Sequence, residues 1–371
     1  MDPEISNLKE SNDILGFTLN NVNVSIANSL RRCIISELKC IGFVTIPYEK
    51  NQATFHKNTT RLNNEILKQR LSCVPVHIND VDAFPMDQYI IEVEETNRDS
   101  IIKYVTTEHF KIKNVLNDTY LDRTEVEKIF PKNPMTGYYI DIVRLRPQIS
   151  DTVKGESIHF TCKFSTVTPR VDGCSYNVVS SCTYQNTKDE PKSKTIWDKI
   201  ETKLRNENES LDSIRLQKTN YMAIEGSRHF IKDSFDFTIE TVGVFKNKVI
   251  LKKGIDCMIN KFNTFIGLLE KDEVSVVPAE VNVGNGHDII LDNEDYTLGK
   301  PLEYMLYTKY FQKDKRLIFC GFRKNHPHDK YSVIRVVTAE HAEIVDIYTM
   351  LHDISNDLIE TYTKMLGYIV G

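Results

Sequence analysis

The C-terminal stretch leaves this chain little freedom. From Ala339 to Ile369, apolar side chains recur at Ile347, Leu351, Ile354, Leu358, Tyr362, Met365 and Ile369, drawing one stripe along a helix. At about 1.5 Å per residue such a helix runs about 45 Å. A stripe that long has to be covered by another helix. The chain offers its own partner in Val249–Leu269, where Ile255, Met258, Phe262, Phe265 and Leu269 repeat at helical spacing. The alternative is a coiled coil between two copies of the chain.

Two shorter segments carry matching stripes. Asn23–Cys40 has Ala27, Leu30, Ile34 and Leu38 on one side, with Asn23 or Ser25 as its N-cap. Leu302–Tyr310 has Leu302, Met305, Leu306 and Tyr310. Thr297 or Lys300 begins that helix, with Pro301 in the first turn, where a missing N–H costs nothing. The expected internal core is therefore Leu30, Ile34, Leu38, Ile255, Met258, Phe262, Phe265, Leu302, Met305, Leu351, Ile354, Leu358 and Tyr362. Burying ~8–10 side chains per side at roughly 1.5–3 kcal/mol each makes the contact obligate, although chain entropy offsets most of the sum. Joining both partners in one chain gives a millimolar-scale effective concentration.

Strands are predicted at Ile14–Leu19, Phe235–Gly243, Arg316–Phe322 and Tyr331–Val337, the last two joined by a turn through Pro327. Between Gln88 and Tyr184 the pattern is mostly β: Tyr89–Glu94, Ile101–Thr106, Tyr138–Arg146, Glu156–Phe164 and Asn177–Tyr184. Short helices are expected at Glu65–Leu71 and Thr124–Phe130. Another is expected at Ile196–Leu204, around Trp197 in a polar surface segment. Lys271–Asp288, with Pro278, Gly284 and Gly286, reads as a linker.

Composition excludes several function classes. A net charge of −5 gives no global basic field for wrapping nucleic acid. The eight cysteines, Cys174 among them, include no C-x-x-C pair, which argues against zinc and for reduced thiols. No apolar run approaches the ~20 residues of a membrane span. No D-x-D-x-D cluster or phosphate-cradling glycine loop is present, and Asp80 and Asp82 are a lone pair beside a turn. His326 and His328 near Cys320 read as a structural turn.

Asn28-Ser29-Leu30-Arg31-Arg32 within the first helix, then Asn58-Thr59-Thr60, Leu62, Glu65 and the block from Lys68 to Val76, resembles the D-type (bacterial α-type) assembly subunit of multisubunit RNA polymerases. Phe237–Gly243 and Gly254-Ile255-Asp256 resemble its closing part. Further on, Glu294-Asp295, Thr297-Leu298-Gly299, Phe319, Gly321, His326-Pro327 and Ile334-Arg335-Val336 resemble the small L-type assembly subunit. Pro301 and His328 depart from that pattern, standing where aliphatic residues are usual.

The resemblance implies an α+β fold. Two alpha-like dimerisation units, each a sheet with long helices, are joined in one chain about a pseudo-two-fold, with a mostly β domain inserted in the first. The expected boundaries are 1–46 and 220–272 for the D-type unit and 47–219 for the insert with its polar return segment. The linker is 273–290 and the L-type unit 291–371. The implied function is a non-catalytic platform that brings together the two largest polymerase subunits, along with a small subunit of the platform. It implies no sequence-specific nucleic-acid contact and no membrane.

Paired arginines on a helix are ordinarily a solvated face. Here the resemblance assigns Asn28, Arg31 and Arg32 to docking on the second-largest subunit, with Glu294, Asp295 and Arg335 facing the largest and Arg70 in the linking block. The family often holds zinc or an iron–sulfur centre on cysteine clusters in the insert. Those clusters are absent here, so no cofactor is expected. Fusion of the two subunit types is characteristic of large cytoplasmic DNA viruses, which implies a viral source, the host cytoplasm and the virion. Two rival readings remain. One is an accessory transcription factor binding single-stranded nucleic acid on its β domain, which needs basic, aromatic-studded strands. The other is an enzyme using the β insert, which needs a cleft with convergent titratable groups.

Overall fold

A computed structural model of the chain describes residues 1–150, 152–172, 176–279 and 284–369. Cys174 and part of the expected linker lie outside the described residues. The chain opens with β1 (Glu4–Ser11), β2 (Ile14–Asn20), α1 (Val24–Ser36), β3 (Cys40–Gly42), β4 (Ala53–Asn58) and α2 (Asn64–Ser72). It continues with β5 (Tyr89–Thr96), β6 (Lys103–Thr106), β7 (Lys111–Asn114), β8 (Thr119–Tyr120), α3 (Arg123–Ile129) and β9 (Asp141–Leu145). Then follow β10 (Ser157–Lys163), β11 (Ser165–Val167), α4 (Pro169–Asp172), β12 (Val179–Lys188), α5 (Glu190–Asn206) and α6 (Leu211–Ala223). After these come β13 (Phe230–Thr241), α7 (Asn247–Glu270), β14 (Val276–Pro278) and β15 (Gly286–Asp292). The chain ends with α8 (Tyr296–Leu306), β16 (Leu317–Arg323), β17 (Tyr331–Thr338) and α9 (Ile344–Leu366).

These elements fall into two compact units. The first comprises Met1–Arg32, Cys182–Ile239 and Gly254–Gly371, and the second Cys33–Ser181 and Glu240–Lys253. In the first unit one sheet has the order β1-β2-β13-β12 and another the order β14-β15-β17-β16. The β1–β2 hairpin turns through Asn12 and Asp13, whose φ angles of 51° and 61° are the left-handed pair that a two-residue hairpin turn demands. Across the first sheet, the Phe17 ring stacks on Phe237 at 5.0 Å.

The helical core of this unit follows the apolar stripes. Phe262 on α7 and Tyr362 on α9 have ring centroids 6.0 Å apart. Further along, Glu270 lies 3.9 Å from His352, so the order reverses and the two helices run antiparallel. Leu30, Ile255, Met258, Phe262, Leu302, Leu351, Ile354, Leu358 and Tyr362 are fully buried, with Phe265 and Met305 nearly so. α8 packs on α9.

Four expectations about this unit change. α9 is 23 residues, about 35 Å, because β17 continues to Thr338 and a capping box at Glu343 and Asp346 starts the helix. α8 begins at Tyr296, because the Asp295 side chain accepts from the Thr297 N–H, and Pro301 therefore lies inside the helix. The helix then widens into a π-helical turn over Tyr307–Lys313. The helix expected around Trp197 is longer, spanning Glu190–Asn206, and it pairs with α6 over Trp197, Ile214 and Tyr221. Both lie in the first unit. The expected linker carries β14 and the start of β15, which joins β17 from Gly286↔Val337 to Asp292↔Tyr331.

The second unit holds a five-stranded sheet of order β4-β10-β5-β7-β8 and two ribbons, β3 with β11 and β6 with β9. Its core is aromatic: Phe43 lies against Phe130 and Phe164, and Phe110 against Phe130 and Phe160. The first helix ends at Ser36, short of Cys40, because Cys40 is recruited into the ribbon opposite Val167. Ile34 and Leu38 are buried in this unit, Leu38 in the connection that follows the helix.

Candidate subunit-docking site

The first unit gathers most of the singled-out polar residues where α1 meets the start of α8 at Arg32. Arg32 donates from Nε to the Thr297 hydroxyl at 2.9 Å and from a terminal nitrogen to Asp295 Oδ2 at 2.7 Å. Asp295 is held from the other side by the Thr297 N–H at 2.9 Å, so one carboxylate both caps α8 and receives the guanidinium. Beside it, Lys261 of α7 donates to both Glu294 oxygens at 2.7 and 2.8 Å. Arg31 donates to Asn28 Oδ1 at 3.0 Å. The two arginines thus point to different duties. Arg32 clasps the start of α8, and Arg31 stays half-exposed with its neighbour Asn28.

Arg335 and Arg70 are placed elsewhere. The β15–β17 register sets Arg335 opposite Asp288, and the guanidinium meets both carboxylate oxygens at 2.6 Å. A cross-strand fork of this kind, with Asp288 only 8% exposed, fixes register within the sheet. Arg70, exposed in the second unit, donates to the Ile142 carbonyl at 2.8 Å. Four residues expected to face outward, Arg32, Glu294, Asp295 and Arg335, therefore make ion pairs inside the chain.

Alongside the Arg32 clasp lies an open groove of about 600 Å³ lined by Asn28, Arg32, Tyr184, Tyr296, Tyr304 and Tyr307. Tyr296, Lys300, Tyr304 and Tyr307 recur at helical spacing on α8 and its π-helical continuation, which is why one face presents them together. Tyr296 and Tyr307 remain 45% and 40% exposed, an aromatic density typical of surfaces that bind other proteins. That spacing was legible in the sequence but was not singled out. Thr297 was legible as a helix start but not as a partner of Arg32, and Lys261, which holds Glu294, carried no local signal.

Burial pushes the Cys182 thiol up to about 12 against the pull of the Arg31 charge. Burial and then Glu303 push Cys320 up to about 12, so neither supplies a thiolate near neutrality. Among the described residues no three histidine, cysteine, aspartate or glutamate side chains converge to hold a metal ion. Among them, too, no helix is long and apolar enough to cross a membrane.

Comparison with known proteins agrees with this geometry. Residues 16–262 match the RNA polymerase Rpb3/Rpb11 dimerisation domain, and residues 287–367 match a second model of the same description. The DNA-directed RNA polymerase II subunit rpb3 of Dictyostelium discoideum is 30% identical over 82 residues, covering 22% of this chain and 25% of that subunit. The DNA-directed RNA polymerase subunit Rpo3 of Pyrococcus furiosus is 30% identical over 92 residues, covering 24% and 33%. A Conjugation stage-specific protein of Tetrahymena thermophila is 23% identical over 285 residues, covering 67% of this chain and 88% of that protein. The aligned segments thus span only a quarter of the Dictyostelium subunit and a third of the Pyrococcus one. With one dimerisation-domain match over most of its first part and another near its end, the chain belongs to the RNA polymerase Rpb3/Rpb11 dimerisation-domain family.

Proposed function

We propose that this chain is the assembly platform of a DNA-directed RNA polymerase, in which both alpha-like partners have been joined and closed on one another. The observation that carries this reading is the intrachain clasp: Arg32 of α1 on Asp295 and Thr297, with Phe262 stacked on Tyr362. In this reading the tyrosine-lined groove beside the clasp receives the second-largest catalytic subunit. Asn28 and Arg31 orient it, the L-type half faces the largest subunit, and Arg70 contributes from the insert. A small platform subunit completes the assembly. The chain performs no catalysis, binds no metal and touches no nucleic acid sequence-specifically; the nucleotidyl transfer belongs to its partners. Two dimerisation domains in a single polypeptide support a large cytoplasmic DNA virus as the source, which would place the protein in virus factories of the host cytoplasm and in the virion.

The test is affinity purification of the tagged chain from its native source, with mass spectrometry of what accompanies it. Two very large polymerase subunits should co-purify, and Arg31→Ala with Tyr304→Ala should deplete them while the circular dichroism spectrum is retained. Recovery of the wild-type chain alone would refute the reading.

A further inference from the structure

In the second unit a cleft of about 580 Å³ is lined by Arg61, Arg70, Arg144 and Arg146 together with Ile102 and Tyr104. The β6–β9 ribbon builds one wall, with its register setting Tyr104 directly opposite Arg144. Two of the guanidinium groups are anchored. Arg70 donates to the Ile142 carbonyl at 2.8 Å, and Arg146 donates to Glu156 at 2.6 Å, a carboxylate only 7% exposed. A guanidinium has five N–H donors in a rigid fork, so each anchored arginine keeps donors over for a ligand. Arg61 and Arg144 are exposed, and among the described residues neither guanidinium takes part in a hydrogen bond or ion pair. The acids facing them are Asp141, at the rim, and Glu156, already paired, so the cleft holds an excess of positive charge in a chain whose net charge is −5. Ile102 and Tyr104, 48% and 49% exposed, add an apolar rest beside the charges.

We propose that this cleft docks an acidic segment of a protein partner. Arg61 and Arg144 take its carboxylates, and an apolar side chain lies on Ile102 and Tyr104. The choice of a protein over a nucleic acid rests on the assembly-platform reading and on the shape of the charge. A single strand asks for a long basic track with several stacking rings. Here the basic groups are confined to one cleft with one tyrosine, and the neighbouring β5 presents Glu92, Glu94 and Glu95. Planar guanidinium forks match carboxylates in two-point contacts.

The experiment is fluorescence anisotropy on the isolated full chain, using a short labelled peptide of alternating glutamate and leucine. The controls are the same peptide with glutamine for glutamate and a labelled oligo-dT. The glutamate peptide should bind in preference to both controls. Arg61→Glu with Arg144→Glu should weaken it about ten-fold or more, which is the loss of two exposed pairs and their reversal to repulsion. The gentler Arg61→Gln with Arg144→Gln should give a smaller loss in the same direction and covers any folding defect of the charge reversals. Absence of glutamate-peptide binding, equal binding of the glutamine peptide, tighter binding of oligo-dT, or indifference to both double variants would overturn the proposal. Because the titration needs no polymerase, its outcome is independent of whether the chain joins one.

Discussion

Tyr362, on the last helix, donates its hydroxyl hydrogen bond to the backbone carbonyl of Ile26, on the first, at 3.2 Å. The two residues stand 336 positions apart in the chain. The ring itself is fully buried against Phe262, so the hydroxyl finds a partner without opening the core. Tyr362→Phe should cost about 0.5–1.5 kcal/mol, the net worth of a buried hydrogen bond. Tyr362→Ala should cost about 3–5 kcal/mol through the cavity it leaves. Urea denaturation of the three proteins checks the ordering, and equal midpoints for wild type and Tyr362→Ala would mean that α9 does not depend on this contact.

Asp295 has two tasks, and removing it should therefore cost more than removing Arg32. The ion pair is partly open to water, at 34% and 18% side-chain exposure, so its coupling energy should be only about 0.5–1 kcal/mol. Asp295→Ala also loses the cap on α8, a further ~1 kcal/mol. A double-mutant cycle on Arg32→Ala and Asp295→Ala measures the shared part. If the two single variants were equally destabilised, the cap would be contributing nothing.

Gly299 explains why a Thr-Leu-Gly run stands at this helix start. A Cβ built there would lie 2.0 Å from Cε2 of Phe322, in a strand packed directly on α8. Gly299→Ala should therefore destabilise the chain by about 1–3 kcal/mol despite the better helix propensity of alanine. Adding Phe322→Leu should recover part of that loss. Thermal unfolding of both variants decides the matter, and a stabilised Gly299→Ala would contradict the packing.

His77 sets an expected pH dependence. Burial holds its pKa below the ordinary histidine value, so the folded chain keeps the ring neutral where the unfolded chain would protonate it. Its contribution is fully present above the unfolded pKa of about 6.5 and is lost as pH falls through the lower folded value. Melting temperatures of wild type and His77→Gln from neutral to mildly acidic pH should show a steeper acid-side fall for wild type. Parallel curves would count against a neutral His77.

The long helices were legible because an apolar stripe repeated over many turns has one physical solution. Ile255, Phe262, Leu351 and Tyr362 are buried for that reason. β1 escaped notice because it is an edge strand with a single buried apolar side chain, Ile5. β4 carries His56, Lys57 and Asn58 with little hydrophobic alternation, and its pairing with β10 is made across a long stretch of sequence. α6 buries only Ile214 and Tyr221, too sparse a pattern to stand out. At the candidate site, the arginines of α1 and the acids before α8 could each be picked out locally. That Arg32 and Asp295 answer one another could not, since separation in sequence carries no sign of ion pairing. The same holds for Arg61 and Arg144, on a loop and a strand that only the tertiary fold brings to one cleft.

The stacking of Phe262 on Tyr362 also has a bearing on synthesis. A ribosome adding about 5–20 residues per second needs several seconds to travel from one ring to the other. Throughout that interval the oily side of α7 has emerged while its cover has not yet been made. Expression should accordingly respond to holdase chaperones and to codon choice between the two helices, a vulnerability that separately encoded halves would share only until they met.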